Sequence, residues 1–233
     1  MSRNTELHLY EELMLLALRD KEGTFAADDM SFSYTLAGAI LSELLLLEVI
    51  ALEPAKKKKM VRLKSTALTG DPIIDECLKK LAAAKRRGSL STWVSRFGGL
   101  KKLRHRAAQQ LCRRGILRAD EKSVLLIFSK KIYPELDPGP ERELVARLRE
   151  AIFSDTDEVA PATAIQVALA DKAGVLKNAF DKKELKARKK RIENIAQGVA
   201  TAAAVKEVVE GIQAALIAVM AASTAASATS AAS

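Results

Sequence analysis

Apolar residues at the start of the chain recur at helical spacing. Leu9, Leu13, Leu16 and Ala17 share one face of a helix predicted over residues 7–18, with Glu11 and Glu12 outside that face. The run 20–23 (DKEG) breaks it. Ser31 is placed to cap a second helix reaching residue 47, in which Leu36, Ile40, Leu44 and Leu47 lie three and four residues apart. Gly38 and Ala39 are small enough to let another backbone approach. Residues 49–53 and 60–64 alternate apolar and polar side chains around 54–59, which predicts a β-hairpin with a lysine-rich tip. Two helices followed by a hairpin resemble a winged-helix layout.

Further on, Asp71-Pro72 supplies an N-cap and a first-turn proline for a helix to about residue 87. A short helix carrying Trp93 and Val94 follows, then a strongly basic helix over 100–114 that Gly115 stops. A second hairpin is predicted from strands 116–118 and 124–128 around a polar turn at 119–123. Pro134, Pro138 and Pro140 mark a loop, and helices are predicted over 141–153, 159–172, 175–180, 182–197 and 199–220. The Ala/Ser-rich end lacks large apolar groups and is expected to fray. The fold class is therefore mainly α: a single helical domain with two short β-hairpins, winged-helix-like near its N-terminus. The expected boundaries are a domain over 1–197 and a C-terminal helix with a disordered tail over 198–233.

Composition sharpens this picture only through charge. The 233 residues carry a net charge of +9, but unevenly. Residues 1–55 have a net of −7, residues 56–119 a net of +16, and residues 120–233 a net of zero. Between Glu76 and Asp120 stand thirteen Lys or Arg and no acid. A block of one sign draws polyanions, either nucleic acid or an anionic membrane surface. The start of the chain shows no secretory pattern, and the weakly polar C-terminal stretch is too mildly apolar for a spanning helix.

Catalytic and metal chemistry finds little support. No phosphate loop, no GxGxxG after a strand, no CxxC and no HExxH occurs. Cys77 and Cys112 read as two buried thiols rather than a disulfide framework. His8 reads as a capping or surface residue, and His105, between Arg104 and Arg106, is a poor acid. The neighbours Glu11-Glu12 and Asp75-Glu76 read as solvated helix faces. The expectation is a protein that is not an enzyme and has no metal and no cofactor.

An ordered set of segments resembles the Golgi phosphoprotein 3 family. LHLYEELMLLALRDKEG (7–23) is similar to its first helix and turn, and LAGAILSELLLLEVIALE (36–53) to its second helix and strand. LTGDPIIDECLKKL (68–81) resembles its TGD-containing helix, and Trp93 stands where the family has Asn-Trp-Ile. RRGILRADEKSVLLIF (113–128) resembles its hairpin and ALADKAGVLKNAF (168–180) its late NAF segment. The resemblance implies a mostly helical adaptor that binds phosphatidylinositol 4-phosphate at Golgi membranes and holds glycosyltransferases by their cytosolic tails. It places the family's two basic-helix ligands on Lys101 and Arg104, with Arg106 close by. The family's pocket Trp falls on Asp28 and its second-helix Arg on Ala37, which implies weak selectivity for the 4-phosphate. With only residues 1–5 ahead of the first helix, the chain resembles compact prokaryotic members lacking the long N-terminal arm.

Two functional readings follow. The first is a peripheral membrane adaptor whose headgroup surface comprises Lys101, Lys102, Arg104, Arg106 and Arg96, with Arg86 and Arg87 as further candidates. It would sit in the cytoplasm against the Golgi or, in a prokaryote, the inner face of the plasma membrane. Its partners would be anionic lipids, cytosolic tails of membrane proteins and a second copy of itself. The apolar run 124–128, including Val124, Leu125 and Leu126, is a membrane wedge, an oligomer contact or a buried strand. The alternative is a winged-helix-type nucleic-acid-binding protein. Its reading helix, 31–47, contains no Arg, Lys, Gln or Asn, and wing lysines grip phosphates without specifying bases.

Overall fold

The computed structural model describes residues 6–18, 23–24, 30–55, 58–124, 128–156, 158–198 and 203–230. The described residues are mainly helical, with two antiparallel hairpins that do not join into one sheet. In order they form α1 (Leu9–Ala17), α2 (Met30–Leu46), β1 (Ile50–Ala55), β2 (Lys58–Leu63), α3 (Pro72–Ala82), α4 (Leu90–Gly98) and α5 (Leu103–Arg113). Then follow β3 (Asp120–Val124), β4 (Phe128–Ile132), α6 (Gly139–Phe153), α7 (Pro161–Lys172), α8 (Leu176–Ala179), α9 (Lys182–Ala187), α10 (Lys189–Ala196) and α11 (Ala203–Ser230).

The core is built around α1 and α2. Every residue from Leu9 to Leu18 is buried, because α2, α5, α6, α7 and α8 surround the helix. Helix α2 is apolar all round and is packed by α1, α4, α7 and α11, as such a helix must be in water. Gly38 makes the last of these approaches possible: a Cβ there would stand 3.3 Å from Ile212 Cγ2 and 3.4 Å from Leu169 Cδ2. Contrary to the predicted cap, α2 begins at Met30. Ser31 therefore lies in the first turn, where its carbonyl accepts from Thr35 Oγ1 at 3.1 Å.

The full burial of α1 overturns one expectation. Glu11 and Glu12, read as solvated, are 0% and 6% exposed. Distant parts of the fold supply each with an arginine: Arg114 Nε lies 3.0 Å from Glu11 Oε1, and Arg147 donates to Glu12 Oε1. Asp75 is buried too, accepting from Thr69 N at 2.7 Å and Thr69 Oγ1 at 2.9 Å. The pattern within a helix shows which residues share a face. It does not show how many neighbours the helix will have.

Several boundaries shift for local reasons. Helix α3 ends at Ala82 rather than near 87, because the chain beyond it runs alongside β2, with Val61 N donating to Gly88 O at 2.9 Å. The predicted helix 182–197 is two helices, divided at Arg188, whose guanidinium reaches Asp155 Oδ1 at 2.8 Å and Phe153 O at 2.7 Å. Helix α11 runs to Ser230 through the stretch expected to fray. The second hairpin moves furthest. Leu117 pairs with Glu135, Asp120 with Ile132 and Val124 with Phe128 in one continuous register. The polar run 120–123, expected as the turn, is therefore a strand. A two-stranded ribbon need not bury either face, so polar residues do not distinguish strand from turn there. Leu125 and Leu126 lie outside the described residues, as do the predicted break at 20–22 and Asp28.

Candidate basic site at the start of helix α5

The basic helix begins later than its sequence pattern suggests. Gly99 ends α4, Leu100 is buried, and Lys102 adopts a left-handed conformation at φ 55° before α5 starts at Leu103. A non-glycine residue held there costs about 1 kcal/mol or more. As N-cap, Lys102 makes no side-chain cap bond, since an ammonium has nothing to accept with. The positive end of the helix dipole thus carries two further positive charges, Lys101 and Lys102, both exposed.

The other predicted ligands divide into those at this surface and those drawn elsewhere. Arg104 is half-buried on the first turn of α5, two residues after the left-handed Lys102. Arg96, exposed on the last turn of α4, lays its guanidinium 4.8 Å from the centre of the buried Trp93 ring. Arg106 is half-buried and pairs with Glu76 Oε2 at 2.6 Å, across to α3. Arg87 is bonded to Glu53 Oε2 at 2.8 Å, whereas Arg86 is exposed. Ala37, carried over as a headgroup position, is 0% exposed among core residues of α2. Val124 ends β3 by pairing with Phe128.

Farther along α5 the arginines serve the fold. Arg113 donates to Gln110 Oε1, whose amide nitrogen reaches Asp71 Oδ2 at 2.8 Å. Tyr10 donates to the same carboxylate at 2.6 Å, and the amides of Ile73 and Ile74 occupy its other oxygen at 2.9 and 2.8 Å. Burial opposes the charge on Asp71, but these bonds override it and hold its carboxyl below the usual range. The TGD sequence at 69–71 is thereby accounted for as a tie between α1, α3 and α5. A cavity of about 570 Å³ lies over it, lined in part by His8, Gly70, Gln110 and Arg113.

His8 caps α1 in reciprocal bonds with Glu11 and is joined at Nδ1 to Glu43. Burial works against the imidazolium, yet the hydrogen bond and charge of Glu43, with Glu11 and Asp71 behind it, raise its pKa. Desolvation raises Glu11 and Glu12 above ordinary carboxylates despite their arginines. Burial likewise pushes the Cys77 thiol up, which makes it a poor nucleophile, and Cys112 is half-buried rather than buried. His105 Nδ1 lies 3.0 Å from the Tyr133 hydroxyl.

Sequence reasoning missed the acidic partners, above all Glu76, which neutralises Arg106. The one signal was its position as the last acid before the acid-free run. The nucleic-acid alternative loses its reader: among the described side chains of α2 none is exposed. Among the described residues, no helix is long and apolar enough to cross a membrane.

The chain is 28% identical over 175 residues to the vacuolar protein sorting-associated protein 74 of Schizosaccharomyces pombe. That match covers 67% of this chain and 51% of the relative, so the chain spans about half the length of the curated protein it matches. The model of the family described as Golgi phosphoprotein 3 (GPP34) matches residues 9–212, from the first residue of α1 well into α11. The chain belongs to the Golgi phosphoprotein 3 family.

Proposed function

We propose that this protein is a peripheral membrane adaptor, not an enzyme, that binds anionic phospholipid headgroups through the start of α5. The observation that carries the reading is the exposed Lys101–Lys102 pair at the left-handed entry to that helix. A phosphate there meets two ammonium groups and the positive helix end, with Arg104 in the first turn. Family membership supports the adaptor role, with cytosolic tails of membrane proteins as clients and a Golgi-type membrane as the surface.

The lipid selectivity follows from what the surface is made of. Ammonium groups act as point charges, and the buried Ala37 offers no bidentate partner for a phosphomonoester. The expected outcome is binding that falls steeply with salt, as charges are screened over about 8 Å at physiological ionic strength. Co-sedimentation with vesicles of phosphatidylinositol 4-phosphate and of phosphatidylserine, matched for surface charge, tests this. Comparable binding to both, lost in Lys101→Ala/Arg104→Ala, supports the reading. A strong preference for the 4-phosphate lipid removes the selectivity argument, and unchanged binding by the variant removes the site.

A further inference from the structure

A second basic surface lies away from α5, in a part of the chain that is neutral as a whole. Residues 171–193 contain nine Lys or Arg and four acids, a net of +5. The two arginines turn back into the body. Arg188 is tied to Asp155 and Phe153, and Arg191 donates to Thr156 O at 2.6 Å and Ala151 O at 3.2 Å. All seven lysines of the segment are exposed. Among the described residues only Lys189 of the seven makes an ion pair, its Nζ 3.7 Å from Glu193 Oε1.

These lysines border a cavity of about 400 Å³ between the end of α7 and the helices α8, α9 and α10. Its floor is apolar: Leu176 and Ile192 are buried and Leu185 is half-buried. Lys177, Lys186 and Lys189 stand on its rim, and Asp171, Gly174 and Glu193 complete the lining. The elements that form it pack on α7, on one another and, through α8, on α1, whereas α5 packs on α1 and α2. The two basic surfaces are therefore carried by different helices.

We propose that this groove docks an acidic, amphipathic peptide segment of a partner protein. The lysines supply the attraction and the apolar floor supplies a place for large side chains, within the roughly 300–1,000 Å³ range of ligand cavities. A phosphate backbone has no apolar group for that floor. A bilayer surface is broad, while the floor lies in a concavity. A peptide meets all three features: carboxylates face the lysines, a Leu, Ile or Phe enters the groove, and backbone N–H groups face Asp171. This surface acts independently of the headgroup surface on α5.

The test uses the full chain and a displayed library of random short peptides, selected on the wild type and counter-selected on Lys177→Glu/Lys186→Glu/Lys189→Glu. All three positions are exposed, so the variant keeps its helical circular dichroism. The expected winners are acidic with spaced large apolar residues. A synthetic winner should bind about tenfold more weakly to the charge variant and to Leu185→Asp, equivalent to about 1.4 kcal/mol. It should bind Lys101→Ala/Lys102→Ala as it binds the wild type. Failure to enrich any peptide over the counter-selection overturns the proposal, as do winners lacking acids or lacking apolar residues. So does a charge variant that loses phosphatidylserine vesicles, since the surface then faces lipid.

Discussion

The two ends of α5 carry similar side chains in opposite situations. At its start, Lys101 and Lys102 are exposed at the positive end of the helix dipole. One turn in, Arg106 pairs with Glu76, and toward the far end Arg113 pairs with Gln110 and Arg114 with the buried Glu11. One end holds charge available to an external anion. The other supplies countercharge to a core that has taken in carboxylates. The difference teaches that positive charge along a sequence measures functional charge only after internal partners are subtracted.

The largest effect expected on this contrast is at its folded end. Arg114→Ala removes the arginine partner of the buried Glu11 and should cost about 3 kcal/mol, as breaking a buried pair does. Urea unfolding at neutral pH measures it, and a cost no larger than that of Arg113→Ala would show that the pair holds nothing. The pH dependence gives a second reading. Glu11 and Glu12 have raised folded pKa values, so their contribution is full below the ordinary carboxylate range and lost as pH rises through those values. His8, also raised, adds stability that is full below its ordinary value and lost on going above it. Asp71, lowered, acts in the reverse sense, its contribution lost as the pH falls below the ordinary Asp range. Stability should therefore be greatest in weak acid, and Glu11→Gln should flatten the decline toward alkaline pH.

The exposed end should respond in binding instead. Lys101→Ala/Lys102→Ala is expected to weaken partition onto anionic vesicles by about 2 kcal/mol, at roughly 1 kcal/mol per charge, with unfolding unchanged. A variant that binds vesicles normally would place the headgroup surface elsewhere. Lys102→Gly separates conformation from charge. Glycine relieves the left-handed backbone, so the fold should gain up to about 1 kcal/mol while vesicle binding weakens by a similar amount. Gain of stability without loss of binding would mean that the Lys102 charge is idle. The smallest effect belongs to Arg106→Ala. Its charge is already matched by Glu76 in a partly exposed pair, so both stability and vesicle binding should change by less than about 1 kcal/mol. A loss equal to that of Lys101→Ala/Lys102→Ala would erase the distinction between exposed and internally paired charge.

Much of the fold is legible in the chain itself. The α2 periodicity, the Asp71-Pro72 start of α3, the Gly115 stop and the first hairpin each rest on a local rule, and each stands within a few residues. The exposed lysines of the candidate site are legible too, because they stand within the acid-free basic run. Where sequence reasoning fails, the missing information is distant. The register of β3 and β4 is set by pairing that begins at Leu117 and Glu135, outside the run that looks like a strand. The helix division at Arg188 falls where its side chain meets Phe153 and Asp155, more than thirty residues away in the chain.

The sequence by itself determined the helical class, the order of the elements and the uneven charge that points to an anionic partner. These follow from spacing, capping and composition, which act within a few residues. Only the tertiary structure decided which charges remain available. Glu11 lies 103 positions before Arg114 and Glu12 lies 135 before Arg147, and nothing local announces either meeting. A charge's worth to a ligand depends on its burial and its partners, and both are properties of packing.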